Sequence, residues 1–200
     1  CLDTIADQAP DADVVVVNGP SADGTTGMVT ERADVDVLVE VASRTVNVAR
    51  NAGIDAASGD VIAFLGDNLR LESDWLSAVV DGLAEAPVVT GPTHRTLRGG
   101  VATESTEEVT IAGRGVTAIA GHNVAFQRRV LETIDGFDEY LETGGAWDVA
   151  HRLAATDHAV AWRPDMSVRR EFEADGGRAD PDWGWTYRAL AYRLFKNYGF

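Results

Sequence analysis

Runs of β-branched residues alternate along this chain with segments whose apolar positions recur every three or four residues. DVVVVN (13–18) predicts a strand and DGTTGMVTERA (23–33) a short helix. VDVLVEV (35–41) follows as a strand, TVNVARNAGIDAA (45–57) as a helix, and DVIAFL (60–65) as a strand closed by Gly66-Asp67-Asn68. SDWLSAVVDGLAEA (73–86) predicts a helix opened by Ser73, whose hydroxyl suits an N-cap. PVVTGP (87–92) is the next strand. Between about 95 and 114 the pattern breaks into Gly, Thr and Glu-rich sequence, a loop or an edge hairpin. VTAIAGHNVAFQRRVLETI (116–134) then reads as strand, turn, strand and helix, and AWDVAHRLAATDH (146–158) as a helix. AVAWRP (159–164) is a strand that puts Trp162 in the core. DPDWGWTYRALAYRLFKNYG (180–199) ends as an amphipathic helix. Its Tyr187, Leu190, Ala191, Leu194 and Phe195 share one face, a pattern that predicts burial against the core.

Strands alternating with helices imply an α/β domain, its sheet mostly parallel and covered by helices on both faces. The chain's 200 residues suit one such domain. No apolar run approaches the roughly 18–20 residues needed to span a bilayer. The opening CLDTIADQ reads as the tail of a helix whose preceding strand lies outside the sequence, and no targeting signal is evident.

Charge changes the picture most. Asp and Glu number 32 against 17 Lys and Arg, a formal net charge of −15, and Lys196 is the single lysine. Such a surface repels itself unless strong ionic screening relieves it, which fits a protein of a salt-accumulating cytoplasm. No basic stripe offsets the acidic field, so general nucleic-acid binding is excluded as an expectation. The lone Cys1 precludes an internal disulfide.

The turn after the first strand, NGPSADGTT, approaches the phosphate-cradling G-x-x-x-x-G-K-[ST] loop. Thr25 stands where that loop needs a lysine to reach the phosphates, so the P-loop reading fails on chemistry. What remains is Asn18 at the carboxyl edge of a sheet, where open α/β folds bind ligands.

VVVVNGPSADGT is similar to the V-V-D-x-G-S-T-D-G-T segment of family 2 glycosyltransferases, inverting enzymes of GT-A fold. ARNAGIDAASGDVIAFLGDN resembles that family's A-R-N-x-G-x-x-x-A-x-G-x-x-x-x-F-L-D-x-D. The likeness continues through TGP, GHNVAFQRRVLETIDGFDE and WDVAHRL, in order and over nearly the whole chain. It implies a donor half, 1–93, that holds a nucleotide-diphospho-sugar, and an acceptor-binding half, 94–200. The implied acceptor is a glycan or lipid-linked hydroxyl, with peripheral association at the inner face of the cell membrane.

Residue by residue, the resemblance places Asn18 at a nucleobase or ribose contact, where the family has Asp. An amide both donates and accepts, so it can read a base edge; a strand-end turn residue is the alternative. Arg50 and Asn51 face the donor, Arg50 offering its planar fork to diphosphate oxygens. Asp67 and Asn68 take the place of the metal-binding D-x-D, hard oxygens for Mg²⁺ or Mn²⁺, with one carboxylate where two are usual. An Asp-Asn turn without metal is the alternative. His122 and Asn123 match a G-x-N turn on the acceptor side. Trp183, with Trp185, is a candidate for an acceptor groove or membrane-facing lip. Anchoring on Arg152 puts Gly145-Ala146 where the family has the Glu-Asp of its catalytic base. A shift of one or two residues gives that role to Asp148 instead. A non-catalytic nucleotide-sugar-binding relative is the rival reading, and a sugar-1-phosphate nucleotidyltransferase a third.

Overall fold

The computed structural model describes residues 1–97, 100–104, 107–170 and 182–199. The acidic stretch 171–181 lies outside them. A short helix α1 (Leu2–Gln8) precedes β1 (Val15–Asn18), α2 (Thr25–Thr30), β2 (Val37–Glu40) and α3 (Val46–Ala56). β1 and β2 run parallel, Val15 beside Val37 and Asn18 beside Glu40, with α3 packed over them. The expected strand-turn-helix alternation is present here as read.

The central sheet holds β3 (Val61–Leu65), β5 (Val88–Thr90), β10 (Asn123–Gln127) and β11 (Val160–Trp162) in the order β11-β5-β10-β3. Side chains of neighbouring strand residues point to opposite faces, and each face carries its own core. Val88, Val124 and Phe126 join α5 (Arg128–Thr133) and α6 (Gly145–Ala155) through Val130, Leu131, Val149 and Leu153. Val89 and Ala125 face the other way, onto Trp75, Ala78 and Val79 of α4 (Trp75–Glu85). Helices thus cover both faces, as the alternation predicted. The sheet itself is mixed, because β10 enters antiparallel between β3 and β5.

A second sheet, in the order β4-β12-β6-β7, is built from β4 (Leu69–Leu71), β6 (Thr93–Leu97), β7 (Gly100–Glu104) and β12 (Val168–Arg170). β8 (Glu108–Ile111) and β9 (Arg114–Thr117) pair as a hairpin. The Gly/Thr-rich break is therefore two antiparallel hairpins, β6–β7 and β8–β9. Three further expectations need correction. Asp74, not Ser73, holds the N-cap of α4 and makes no side-chain cap; the Ser73 hydroxyl turns to the Asp74 carboxylate at 3.5 Å. Trp162 is only partly buried, as its strand sits at the sheet's edge. Finally, α7 (Trp183–Tyr198) turns Trp183, Tyr187, Leu190 and Phe195 outward, because Lys196 and Asn197 on its other side are claimed by partly buried Asp138 and buried Asp148.

Candidate functional site

Strand β3 ends in a tight turn. The Gly66 N–H donates to the His122 carbonyl at 3.0 Å, and the Leu69 N–H donates back to the Gly66 carbonyl at 3.2 Å. Asp67 and Asn68 ride at the exposed tip of that turn. His122 is held in turn by a 3.0 Å hydrogen bond between its Nε2 and the Thr93 hydroxyl. The turn and the residue preceding β10 are therefore one connected edge.

Arg50 ties α3 to the same edge. Its guanidinium donates to the Gly121 carbonyl and to Asn47 Oδ1, the latter at 3.2 Å, and lies 4.9 Å over the Phe137 ring. Burial lowers its pKa from the ordinary arginine value, yet a guanidinium stays charged in a folded protein. Gly121 is obligatory: a Cβ there would stand 2.9 Å from Arg50 Nη2 and 3.0 Å from the Ala146 Cβ. Arg50, Gly121-His122, the 66–68 turn and the start of α6 thus form one continuous rim at the carboxyl end of β3.

Asn51 does different work from the donor contact expected of it. Its Nδ2 donates to the Phe137 carbonyl at 2.8 Å and to Glu139 at 3.0 Å, while its Oδ1 accepts from the Phe137 N–H at 2.8 Å. One turn earlier, fully buried Asn47 donates to the carbonyls of Asp138 and Leu141 at 2.8 and 3.0 Å. The A-R-N segment therefore clamps the G-F-D-E loop. Phe64 of β3 completes the junction with edge-on contacts to Phe126 and Phe137, at 5.9 and 5.2 Å between ring centres. Asn47 was missed in the sequence, although Asn47, Arg50 and Asn51 at helical spacing mark one polar stripe on α3.

The start of α6 explains the absent Glu-Asp. A Cβ at Gly145 would fall 2.4 Å from Asn47 Nδ2, so no side chain fits while Asn47 holds the loop. Ala146 faces Gly121. Asp148, expected as the base, is completely buried and engaged by three donors: Arg152 Nε at 2.8 Å, Lys196 Nζ at 3.2 Å and Asn197 Nδ2 at 3.0 Å. A carboxylate so enclosed orients helices and meets no acceptor hydroxyl. The Asp148–Arg152 pair spans one helical turn, as i,i+4 partners do. Lys196 also grips Asp138 at 2.6 Å, where the Tyr192 hydroxyl donates at 2.9 Å. The chain's single lysine thus lies between buried Asp148 and partly buried Asp138.

The other expected contacts scatter. Asn18 donates to the Thr26 hydroxyl at 2.9 Å, which donates to Glu40 at 3.0 Å. Asn18 stays at the edge of the β1–β2 pair, only partly buried. Asn123 is fully buried, its Oδ1 accepting from the Trp75 indole at 2.9 Å and its Nδ2 donating to the Met166 carbonyl at 2.8 Å. Both ends of its amide are spent inside the protein. Trp183 opens α7, its ring tilted against that of Tyr187 with centres 6.2 Å apart.

For a divalent cation, the rim offers the Asp67 carboxylate and the Asn68 carbonyl oxygen, both hard donors open to solvent. No group of three His, Cys, Asp or Glu side chains able to hold a metal occurs among the described residues. The two donors fit a cation whose remaining positions are filled by phosphate oxygens and water, as Mg²⁺ prefers.

The profile of Glycosyl transferase family 2 matches residues 1–135. The glycosyltransferase AglE of Haloferax volcanii is 29% identical over 174 residues, 78% of this chain and 56% of AglE. The chain thus spans little more than half of that relative. Among solved structures, the Pyrobaculum calidifontis mannosyltransferase PcManGT, in complex with GDP-Man and Mn²⁺, superposes with a TM-score of 0.67. It is 20% identical, with 98% of this chain and 65% of that one covered. S. aureus TarS 1–349 with UDP-GlcNAc gives 0.68 at 17% identity, covering 98% and 62%. GalNAc-T7 with UDP, GalNAc and Mn²⁺ gives 0.73 at 12%, covering 94% and 44%. The fold is that of GT-A glycosyltransferases, and the chain belongs to glycosyl transferase family 2.

Proposed function

We propose that this domain binds a nucleotide-diphospho-sugar and passes the sugar, with inversion, to a hydroxyl of a glycan or lipid-linked acceptor. One observation carries the reading: the rim that joins Asp67-Asn68, Arg50 and Gly121-His122 at the carboxyl end of β3. Asp67 and Asn68 would hold Mg²⁺ or Mn²⁺, which when bound supplies positive charge for the departing diphosphate. Arg50, rigid and desolvated, adds a fixed positive field beside it. Asn18 and the β1 edge would receive the nucleoside, leaving 94–200 to the acceptor. A PcManGT complex with GDP-Man and Mn²⁺ and a TarS complex with UDP-GlcNAc support a nucleotide-sugar donor of this kind. Asp148 acts in this reading at one remove, fixing the start of α6 rather than receiving the acceptor's proton. His122 would face the acceptor, and Asn51 and Asn123 would shape the pocket from behind. The working location is the cytoplasmic membrane face, where lipid-linked acceptors are extended.

The test is donor turnover. UDP- and GDP-sugars are offered with Mn²⁺ and a lipid-linked glycan extract, and released nucleoside diphosphate is measured. Release is expected from the native chain, falling at least about 100-fold in Asp67→Ala. Pyrophosphate as product would instead identify a nucleotidyltransferase. A second reading, a nucleotide-sugar-binding relative without transfer, is favoured by Gly145 and Ala146 and by the enclosed Asp148. Donor binding with no product from any acceptor would establish it.

A further inference from the structure

The parallel pair β1–β2 ends in three polar side chains joined in series. Asn18 and Glu40 are register partners, so their side chains leave the same face of the pair side by side. Thr26, in the first turn of α2, lies between them. Asn18 Nδ2 donates to its hydroxyl at 2.9 Å, and that hydroxyl donates to Glu40 Oε1 at 3.0 Å. The direction of the series is forced. A carboxylate only accepts, so the single hydroxyl proton of Thr26 goes to Glu40 and its lone pair faces Asn18. Asn18 therefore turns its amide nitrogen toward Thr26 and its carbonyl oxygen away. Two acceptors are left at the edge, Asn18 Oδ1 and Glu40 Oε2, and neither takes a hydrogen bond from another described residue. The acid of the intervening loop is spent locally: Asp23 Oδ1 accepts from the Thr25 N–H at 3.0 Å and from the hydroxyls of Thr25 and Ser21. Glu40 is exposed and Asn18 partly buried, so their outward oxygens can meet a ligand.

Two neighbouring acceptors discriminate between nucleobases. Guanine presents its N1–H and its 2-amino group next to each other on one edge, two donors for two acceptors. Uracil presents a single N–H between two carbonyl oxygens. With that N–H on either protein oxygen, a uracil carbonyl is set against the other with no proton between them. Adenine and cytosine carry one amino group beside a ring nitrogen that itself accepts. We infer that this edge selects a guanine nucleotide, Asn18 Oδ1 accepting from N1–H and Glu40 Oε2 from the 2-amino group. Glu40 lies outside every motif quoted from the sequence, yet it is the charged member of the pair and forms the stronger bond. The inference rests on the reading above, in which the β1 edge receives the nucleoside, and it adds which base is received and the residue that chooses it.

Calorimetric titration of GDP, inosine diphosphate and UDP into the native chain with Mn²⁺ tests it. Inosine diphosphate keeps the N1–H and O6 of GDP and lacks only the 2-amino group, so it reports the contact to Glu40 without altering the protein. GDP is expected to bind on the order of tenfold tighter than inosine diphosphate, and tighter still than UDP. Glu40→Gln keeps an acceptor for the Thr26 hydroxyl and turns an amide nitrogen outward in place of Oε2. In that variant the gap between GDP and inosine diphosphate should close, and UDP, whose carbonyl oxygens now meet a donor, should tighten. Glu40 is exposed, and circular dichroism checks that the variant stays folded. Equal affinity of the native chain for GDP and inosine diphosphate, or tighter binding of UDP, would overturn the inference and leave the reading of a nucleotide-sugar site standing. Equal weakening of all three nucleotides in Glu40→Gln would also overturn it, placing the carboxylate on the ribose they share. Binding of none of the three would overturn both.

Discussion

A buried amide at position 47 governs more of the site than any residue the motifs point to. Asn47 fills two loop carbonyls, accepts from Arg50 and forbids a side chain at Gly145. Asn47→Ala strands two carbonyls and should cost about 1–3 kcal/mol, read from urea unfolding. Gly145→Glu, which restores the family's acid, should cost about 1–3 kcal/mol through overpacking. Because the two side chains compete for one space, the double variant should be more stable than the sum of the singles; strict additivity would refute the steric account. His151 gives a pH dependence. Burial first, then the charge of Arg193, hold its imidazole below the ordinary 6.5, against the opposing pull of Asp148. The folded protein keeps this side chain neutral while the unfolded chain takes up a proton, so stability falls as pH drops below about 6.5. His151→Gln, which still offers Tyr198 a partner, should flatten the dependence of the urea midpoint between about pH 7 and 5. Asp138 acts at lower pH: burial pushes its carboxyl up, but Lys196, Tyr192 and the Tyr140 N–H outweigh it, and its pKa falls below the ordinary 3.8. Its stabilisation is present above that value and is lost as pH falls through the folded one.

At the level of elements, α6 and α7 are joined by the ion pairs of Asp148 and by the edge-on contact of His151 with Tyr198 at 5.3 Å. Fully buried Asp148 pairs with Arg152 and Lys196, an ionic junction that is costly to break from one side. Asp148→Ala should cost about 3–5 kcal/mol and loosen α7, seen as faster amide exchange along 183–198. If Asp148→Ala leaves stability unchanged but abolishes transfer, the residue is a catalytic base after all. The same junction shows what could be read from sequence. Alternation of β-branched runs with helical spacing located the central strands and the helices, since period 2 and period 3.6 are local properties, but β4 and β12, three residues each, are too short to show a period. A-R-N, F-L-G-D-N and G-F-D were legible as motifs, and Phe64, Phe137, Asn51 and Arg50 meet in space. The direction of α7 was not legible: its apolar stripe is the same whichever way it faces. Only the partners of Lys196 and Asn197, dozens of residues away, decide it. Nor could spacing reveal that Asn123 spends its amide on Trp75 of α4 and on Met166 before β12, because those partners lie more than forty residues away in the chain.

Over the whole molecule, the 32 acids against 17 bases set the solution behaviour. Self-repulsion at low ionic strength should lower the melting temperature, and molar KCl should raise it by several degrees as the Debye length shrinks to about 3 Å. A melting curve indifferent to KCl would remove the salt-adapted reading. Against this negative field a diphosphate can approach only where the rim supplies compensating charge, which makes the cation proposed at Asp67 the decisive feature to test. Calorimetric titration of UDP and GDP, with and without Mn²⁺, into the native chain and Asp67→Ala is the most direct measurement. The account predicts that at least one of the two nucleotides binds the native chain, about tenfold or more tighter with Mn²⁺, and that Asp67→Ala abolishes the metal's effect. Binding of neither nucleotide, or an unaltered response to Mn²⁺ in Asp67→Ala, would contradict it.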